Sequence, residues 1–129
     1  MYQFEATINL FSGNCRQWVV ITNITWHRLN HNISSGIRYS LKNRRDGLHW
    51  EDLVGYTLKD LIVNLEQKFT KEMSWLNYGD YWHIDHIKPI AWFTFNSYND
   101  SEFKQCWSLN NLQPLYKIKN SVKSARYIG

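Results

Sequence analysis

Two cysteines in 129 residues, Cys15 and Cys106, are too few and too far apart for a disulfide framework or a Cys-rich zinc ribbon. Any metal held by this chain must use His, Asp, Asn or Glu. Proline stands only at positions 89 and 114, and internal repeats and low-complexity stretches are missing, so nothing marks a linker between domains. No aliphatic or aromatic run is longer than that from Trp18 to Ile21, far short of the roughly 18 residues that suggest a membrane span. The first basic residue is Arg16, so no charged region precedes an apolar core as in a secretory signal. These absences predict a soluble, cytoplasmic chain with no membrane partner.

What the chain has in quantity is aromatic surface. Seven Trp, eight Tyr and six Phe make 16% of the residues, against 20% charged. That balance is the reverse of a disordered composition. The length predicts one domain, 1–129, that buries about two-thirds of its unfolded surface. Fifteen Lys plus Arg against eleven Asp plus Glu give a net charge of +4, which points toward a polyanionic partner. Two segments concentrate it: Arg38 to Arg45, and Lys117 to Arg126, each with four basic residues and no acidic one. For the first segment a solvated helix face and a phosphate-binding face both remain open.

The periodicities predict an α+β fold in three zones. In residues 1–33, Tyr2, Phe4, Ala6, Ile8 and Leu10 alternate along one face, and a β-rich run from Trp18 to Ile24 follows Ser12-Gly13-Asn14, which predicts an N-terminal β-hairpin. Residues 34–74 read as helical. Ile33, Ile37 and Leu41 recur every four residues, with Arg38, Lys42 and Arg45 on another side of the same helix. A second helix carries Leu58, Leu61, Ile62, Leu65 and Phe69, and Thr57 caps it with Asp60 three residues on. In residues 75–129 the order is a strand from Tyr81 to Ile84, a long loop, a short helix over Asp100 to Trp107, a strand from Leu112 to Tyr116 and a last helix from Lys117 to Arg126. Trp75, Tyr78, Trp82 and Trp92 are expected to pack around these strands.

That third zone contains Trp82-His83-Ile84-Asp85-His86-Ile87-Lys88-Pro89, then Asn111-Leu112-Gln113-Pro114-Leu115, then Asn120 with Lys123 behind it. The pattern resembles the HNH endonucleases, in particular the short ones common in phage genomes, over roughly residues 34 to 126. An approach segment from Trp75 to Tyr81 belongs to the likeness, and the first 33 residues do not. The resemblance implies a ββα-metal core over 75–129 in which Asp85 ligates a metal, His86 is the general base and Asn111 holds the loop around that base. Asn120 becomes a second ligand from the last helix.

The chemistry explains the grouping. Phosphodiester hydrolysis needs a deprotonated water, a cation on the extra negative charge of the transition state and help for the leaving oxygen. On the last helix, steps of 100° place Lys119, Lys123 and Arg126 on one face toward phosphates, and Asn120 with Ser124 on another. Some relatives, such as the colicin nucleases, have a His where this chain has Ser124, an accessory position at most. Two oxygen ligands suit a hard ion, Mg²⁺ or Mn²⁺. On its strand His83 faces the same side as Asp85, and assisting the metal, touching DNA or propping the carboxylate all remain open to it. Arg38, Lys42, Arg45, Lys117, Lys119, Lys123 and Arg126 are the expected nucleic-acid contacts.

The expected partner is DNA. A non-cleaving DNA-binding module of the same fold and an RNA-directed nuclease are the alternatives. With one base and one metal site per chain, a monomer that nicks one strand is expected ahead of a homodimer that cuts both.

Overall fold

The computed structural model describes residues 5–8 and 19–118. The element order is β1 (Glu5–Ile8), β2 (Val19–Thr22), α1 (Asn23–Ser40), α2 (Trp50–Val54), α3 (Leu58–Glu66), β3 (Trp82–His86), α4 (Ser101–Cys106) and β4 (Leu112–Tyr116). β1 and β2 form an antiparallel pair, as the hairpin expectation required, with Glu5 opposite Thr22 and Ile8 opposite Val19. β3 and β4 form a second antiparallel ribbon, with Trp82 opposite Tyr116 and His86 opposite Leu112. Boundaries differ from the sequence reading at α1 and β3. Helix begins at Asn23 rather than near residue 34, and β3 runs on through Asp85 and His86 rather than stopping at Ile84.

The early start of α1 has a local cause. Thr22 is extended, and its hydroxyl accepts a hydrogen bond from the Thr25 N–H at 3.1 Å, satisfying one of the donors left open at a helix start. From there Leu29, Ile33, Ile37 and Leu41 fall on one stripe and are all buried. The Trp50 indole N–H donates to Asn30 Oδ1 at 2.9 Å and ties α2 to that helix. α3 has the capping box read from the sequence: Asp60 N–H donates to the Thr57 hydroxyl at 3.1 Å, and Thr57 N–H to Asp60 Oδ2 at 3.0 Å. Its Leu58, Leu61, Ile62 and Leu65 are buried, while Phe69 lies beyond its end and packs against the core from there.

Between α3 and β3 the chain builds an aromatic cluster. Phe69, Trp75, Tyr78 and Trp82 meet at ring-centroid distances from 4.9 to 6.0 Å, tilted or edge to face. Both buried indoles find acceptors: Trp75 donates to Glu66 Oε2 at 2.6 Å and Trp82 to the Ser74 carbonyl at 2.8 Å. Trp92 departs from the expectation. It sits in a short 3₁₀ turn after Pro89 and is 50% exposed.

The β3–β4 ribbon is anchored to α3 from one side. Lys68 Nζ donates to the carbonyls of Leu109 and Leu112 at 3.2 and 2.7 Å, and Asn64 Nδ2 donates to that of Leu109 at 3.1 Å. The end of the ribbon where β3 finishes is thereby fixed to the helical half. None of the described helices is long and apolar enough to cross a membrane.

Thr57→Ala is expected to lower unfolding free energy by about 1 kcal/mol, because it removes the hydroxyl half of the capping box. Thr57→Ser should stay close to wild type in the same urea titration. Equal midpoints for all three proteins would contradict a stabilising cap.

Candidate active site at the end of the β3–β4 ribbon

Where β3 ends, one side chain holds three segments together. Asn111 Oδ1 accepts the Lys88 N–H at 2.8 Å, and Asn111 Nδ2 donates to the carbonyls of Lys88 and Cys106 at 3.2 and 2.9 Å. The Ile87 N–H also donates to the Asn111 carbonyl at 2.8 Å. The exit of β3, the end of α4 and the entry to β4 are thus joined through one amide that uses both of its donor hydrogens and its acceptor oxygen. No other common side chain offers that combination at that length.

On one face of β3, Asp85 is buried at 8% exposure. Its cross-strand partner is Gln113, whose Nε2 donates to Asp85 Oδ2 at 2.9 Å. Gln113 lies inside the segment singled out in the sequence but had no role there. The signal that finds it is the register, which sets the two residues opposite each other. His83 shares this face of the strand with Asp85. Burial holds its pKa below the usual 6.5, and the positive charges of Lys117 and Arg28 push the same way. His83 is therefore a neutral imidazole at neutral pH.

His86 lies on the opposite face, where its ring meets Trp107 edge to face at a centroid distance of 4.4 Å and an angle of 84°. Trp107 is a fixed wall, 3% exposed. Its indole N–H donates to the Ser40 hydroxyl at 3.2 Å, and its carbonyl accepts the Tyr56 hydroxyl at 2.6 Å. Gly36 on α1 makes room for it, since a Cβ there would stand 3.0 Å from Trp107 Cη2. Neither Trp107 nor Gly36 carried any mark of this in the sequence. Cys106, beside Trp107, is buried and its thiol is pushed up to about 12, so it is no thiolate at neutral pH.

The remaining expected site residues divide in two. Asn120, Ser124, Lys119, Lys123 and Arg126 lie outside the described residues. Of the others, Arg38, Lys42 and Lys117 are exposed. Arg45 is partly buried, with Nη1 donating to the Ser34 hydroxyl at 3.1 Å, which ties it to α1. Among the described residues no three His, Cys, Asp or Glu gather into a metal-binding group. The donor set at β3 is a carboxylate and, two residues earlier on the same face, a neutral imidazole. The carboxylate is the kind of oxygen donor that a hard divalent ion takes, and the imidazole is not.

No protein family matches the chain as a whole or in part. Two proteins of Acanthamoeba polyphaga mimivirus are similar to it. "Uncharacterized protein L426" is 38% identical over 64 residues, 50% of this chain and 27% of that protein. "Uncharacterized protein L246" is 29% identical over 94 residues, 70% of this chain and 41% of that protein. The chain spans about a quarter to two-fifths of the length of these relatives. No solved structure matches it.

Two outcomes are expected from this geometry. Asn111→Asp keeps an acceptor for Lys88 but loses both donated bonds and sets a negative charge against two carbonyls. It should cost about 2 to 3 kcal/mol in urea unfolding, as should Asn111→Ala, and a wild-type midpoint would show that the amide joins nothing that matters. For His83, a pKa lowered by folding means that stability present above 6.5 is lost as pH falls from 6.5 through the folded value. Its imidazole resonances in metal-free protein should titrate with a midpoint below 6.5, and a midpoint at or above that value would contradict the stated burial.

Proposed function

We propose that the chain is a metal-dependent endonuclease of the HNH class that hydrolyses DNA phosphodiester bonds, with a ββα-metal core made by β3, β4 and the segment that follows. The observation that carries this reading is the strand end itself. Asp85 and His86 are adjacent there on opposite faces, and Asn111 fixes the chain immediately beyond them through three hydrogen bonds. A carboxylate and an imidazole on opposite faces can address one phosphate only around the end of a strand. That is where these two stand.

In this reading His86 takes the proton from the attacking water, with Trp107 limiting the tilt of its ring. Gln113, donating to Asp85 Oδ2, would orient that carboxylate as a ligand. Mg²⁺ or Mn²⁺, held by Asp85 and Asn120, would supply the positive charge that the transition state requires. His83, neutral and on the Asp85 face, supports the ligand side rather than the base. Lys117, with Lys119, Lys123 and Arg126 after it, gives the phosphate contacts that favour DNA as the partner. The proposed setting is the cytoplasm of a bacterial or phage-infected host cell.

The test is a gel with supercoiled plasmid and single-stranded RNA, each with Mg²⁺ or with chelator. Open-circular DNA should accumulate before linear product in Mg²⁺ alone, as a monomer with one site requires. His86→Ala should cut about 10² to 10⁴ more slowly while binding DNA as wild type does. Cleavage by His86→Ala at the wild-type rate would end the assignment, linear DNA without a nicked intermediate would favour a dimer, and RNA alone being cut would change the substrate.

A further inference from the structure

At its C-terminal end α1 carries a cavity of about 840 Å³, lined among the described residues by Ser35, Gly36, Arg38, Tyr39, Lys42 and Asn43. Its volume is within the roughly 300 to 1,000 Å³ of ligand clefts. Three features set it apart from an ordinary helix face. Tyr39 is 87% exposed, so its ring faces solvent rather than the core. Arg38 and Lys42 on either side of it are exposed, and no ion pair to either is found among the described residues. Acidic residues are missing from the whole stretch between Glu5 and Asp46, while Arg16, Arg28, Arg38, Lys42, Arg44 and Arg45 fall within it.

The backbone adds an independent observation at Lys42. α1 closes with the Lys42 N–H donating to the Tyr39 carbonyl at 3.1 Å and the Asn43 N–H to the Arg38 carbonyl at 3.0 Å. This closure puts its residue after the cap in the left-handed region, where glycine is the usual choice. Here that residue is Lys42, with φ +52. The chain accepts a backbone conformation that disfavours a side chain, and the side chain it keeps there is a cation. Arg45, by contrast, is engaged by Ser34.

We infer that this cavity is a binding groove for single-stranded DNA, in which Tyr39 stacks on an unpaired base and Arg38 and Lys42 hold the flanking phosphates. An exposed aromatic ring between cations is the arrangement that binds bases through their faces, and a paired duplex does not present those faces. Gly36, which lines the cavity, also lies against Trp107, and Trp107 in turn lies against His86. The inference rests on the nuclease reading only for the identity of the polyanion.

The experiment measures anisotropy of a labelled oligothymidylate of about 15 nucleotides, an RNA of the same length and a matched duplex, with the full chain and chelator present throughout. Wild type should bind the single-stranded DNA more tightly than the other two. Tyr39→Ala should weaken that binding about tenfold and leave duplex binding unchanged. Lys42→Gly relieves the backbone, so it should melt no lower than wild type. It should nevertheless lower affinity and reduce the salt slope by about 0.7. Wild-type affinity in both variants, or tighter binding of duplex or RNA than of single-stranded DNA, would overturn the groove. Plasmid nicking by the same variants separates the two readings. Nicking with no Tyr39 effect on oligonucleotide binding sinks the groove alone, and Tyr39-dependent binding without nicking sinks the nuclease alone.

Discussion

The Asn111 amide is the interaction on which the arrangement at the end of β3 depends. Three chain segments arrive there with backbone groups that no regular element satisfies: the exit of β3 at Lys88, the end of α4 at Cys106, and the 3₁₀ turn that leads into β4. Leaving buried donors and acceptors unmet costs about 1 to 3 kcal/mol each. One amide meets three of them, and in doing so it sets the point at which β3 stops behaving as a strand. Asp85 and His86 are the last two residues before that point.

The two faces of β3 are then finished differently. Toward Asp85 the finish is polar and comes from the neighbouring strand, through the cross-strand bond from Gln113. Toward His86 it is aromatic and comes from Trp107, the residue that closes α4. Trp107 fills the space between β3 and α1, held by Ser40 and Tyr56 and admitted by the missing Cβ of Gly36. Interiors are packed too closely for such a ring to shift without moving its neighbours. Trp107 thereby joins α1, at Gly36 and Ser40, to the His86 imidazole.

Much of this was legible in the sequence where the cause is local. The capping pair Thr57 and Asp60, the Ile33-Ile37-Leu41 stripe and the strand Leu112 to Tyr116 each follow from a few neighbouring residues. The start of α1 was hidden because Val19 to Thr22 continues into Asn23-Ile24-Thr25, a stretch rich in β-branched residues in which the Thr22 hydroxyl caps the helix. α2 spans too few residues for a period to show. Gln113, Trp107 and Gly36 were out of reach for another reason. Their roles exist only through register or through contact between segments far apart in the chain. Sorting the basic run Arg38 to Arg45 likewise required knowing that Ser34 engages Arg45 and that Lys42 has a positive φ.

The central claim is that a divalent ion and a base meet at one strand end, and paramagnetic broadening by Mn²⁺ tests it at the site itself. Substoichiometric Mn²⁺ added to the labelled protein should selectively broaden the backbone resonances of Asp85, His86 and Gln113, and Asp85→Asn should abolish that selectivity. Broadening centred away from the end of β3, or the same pattern persisting in Asp85→Asn, would contradict the account.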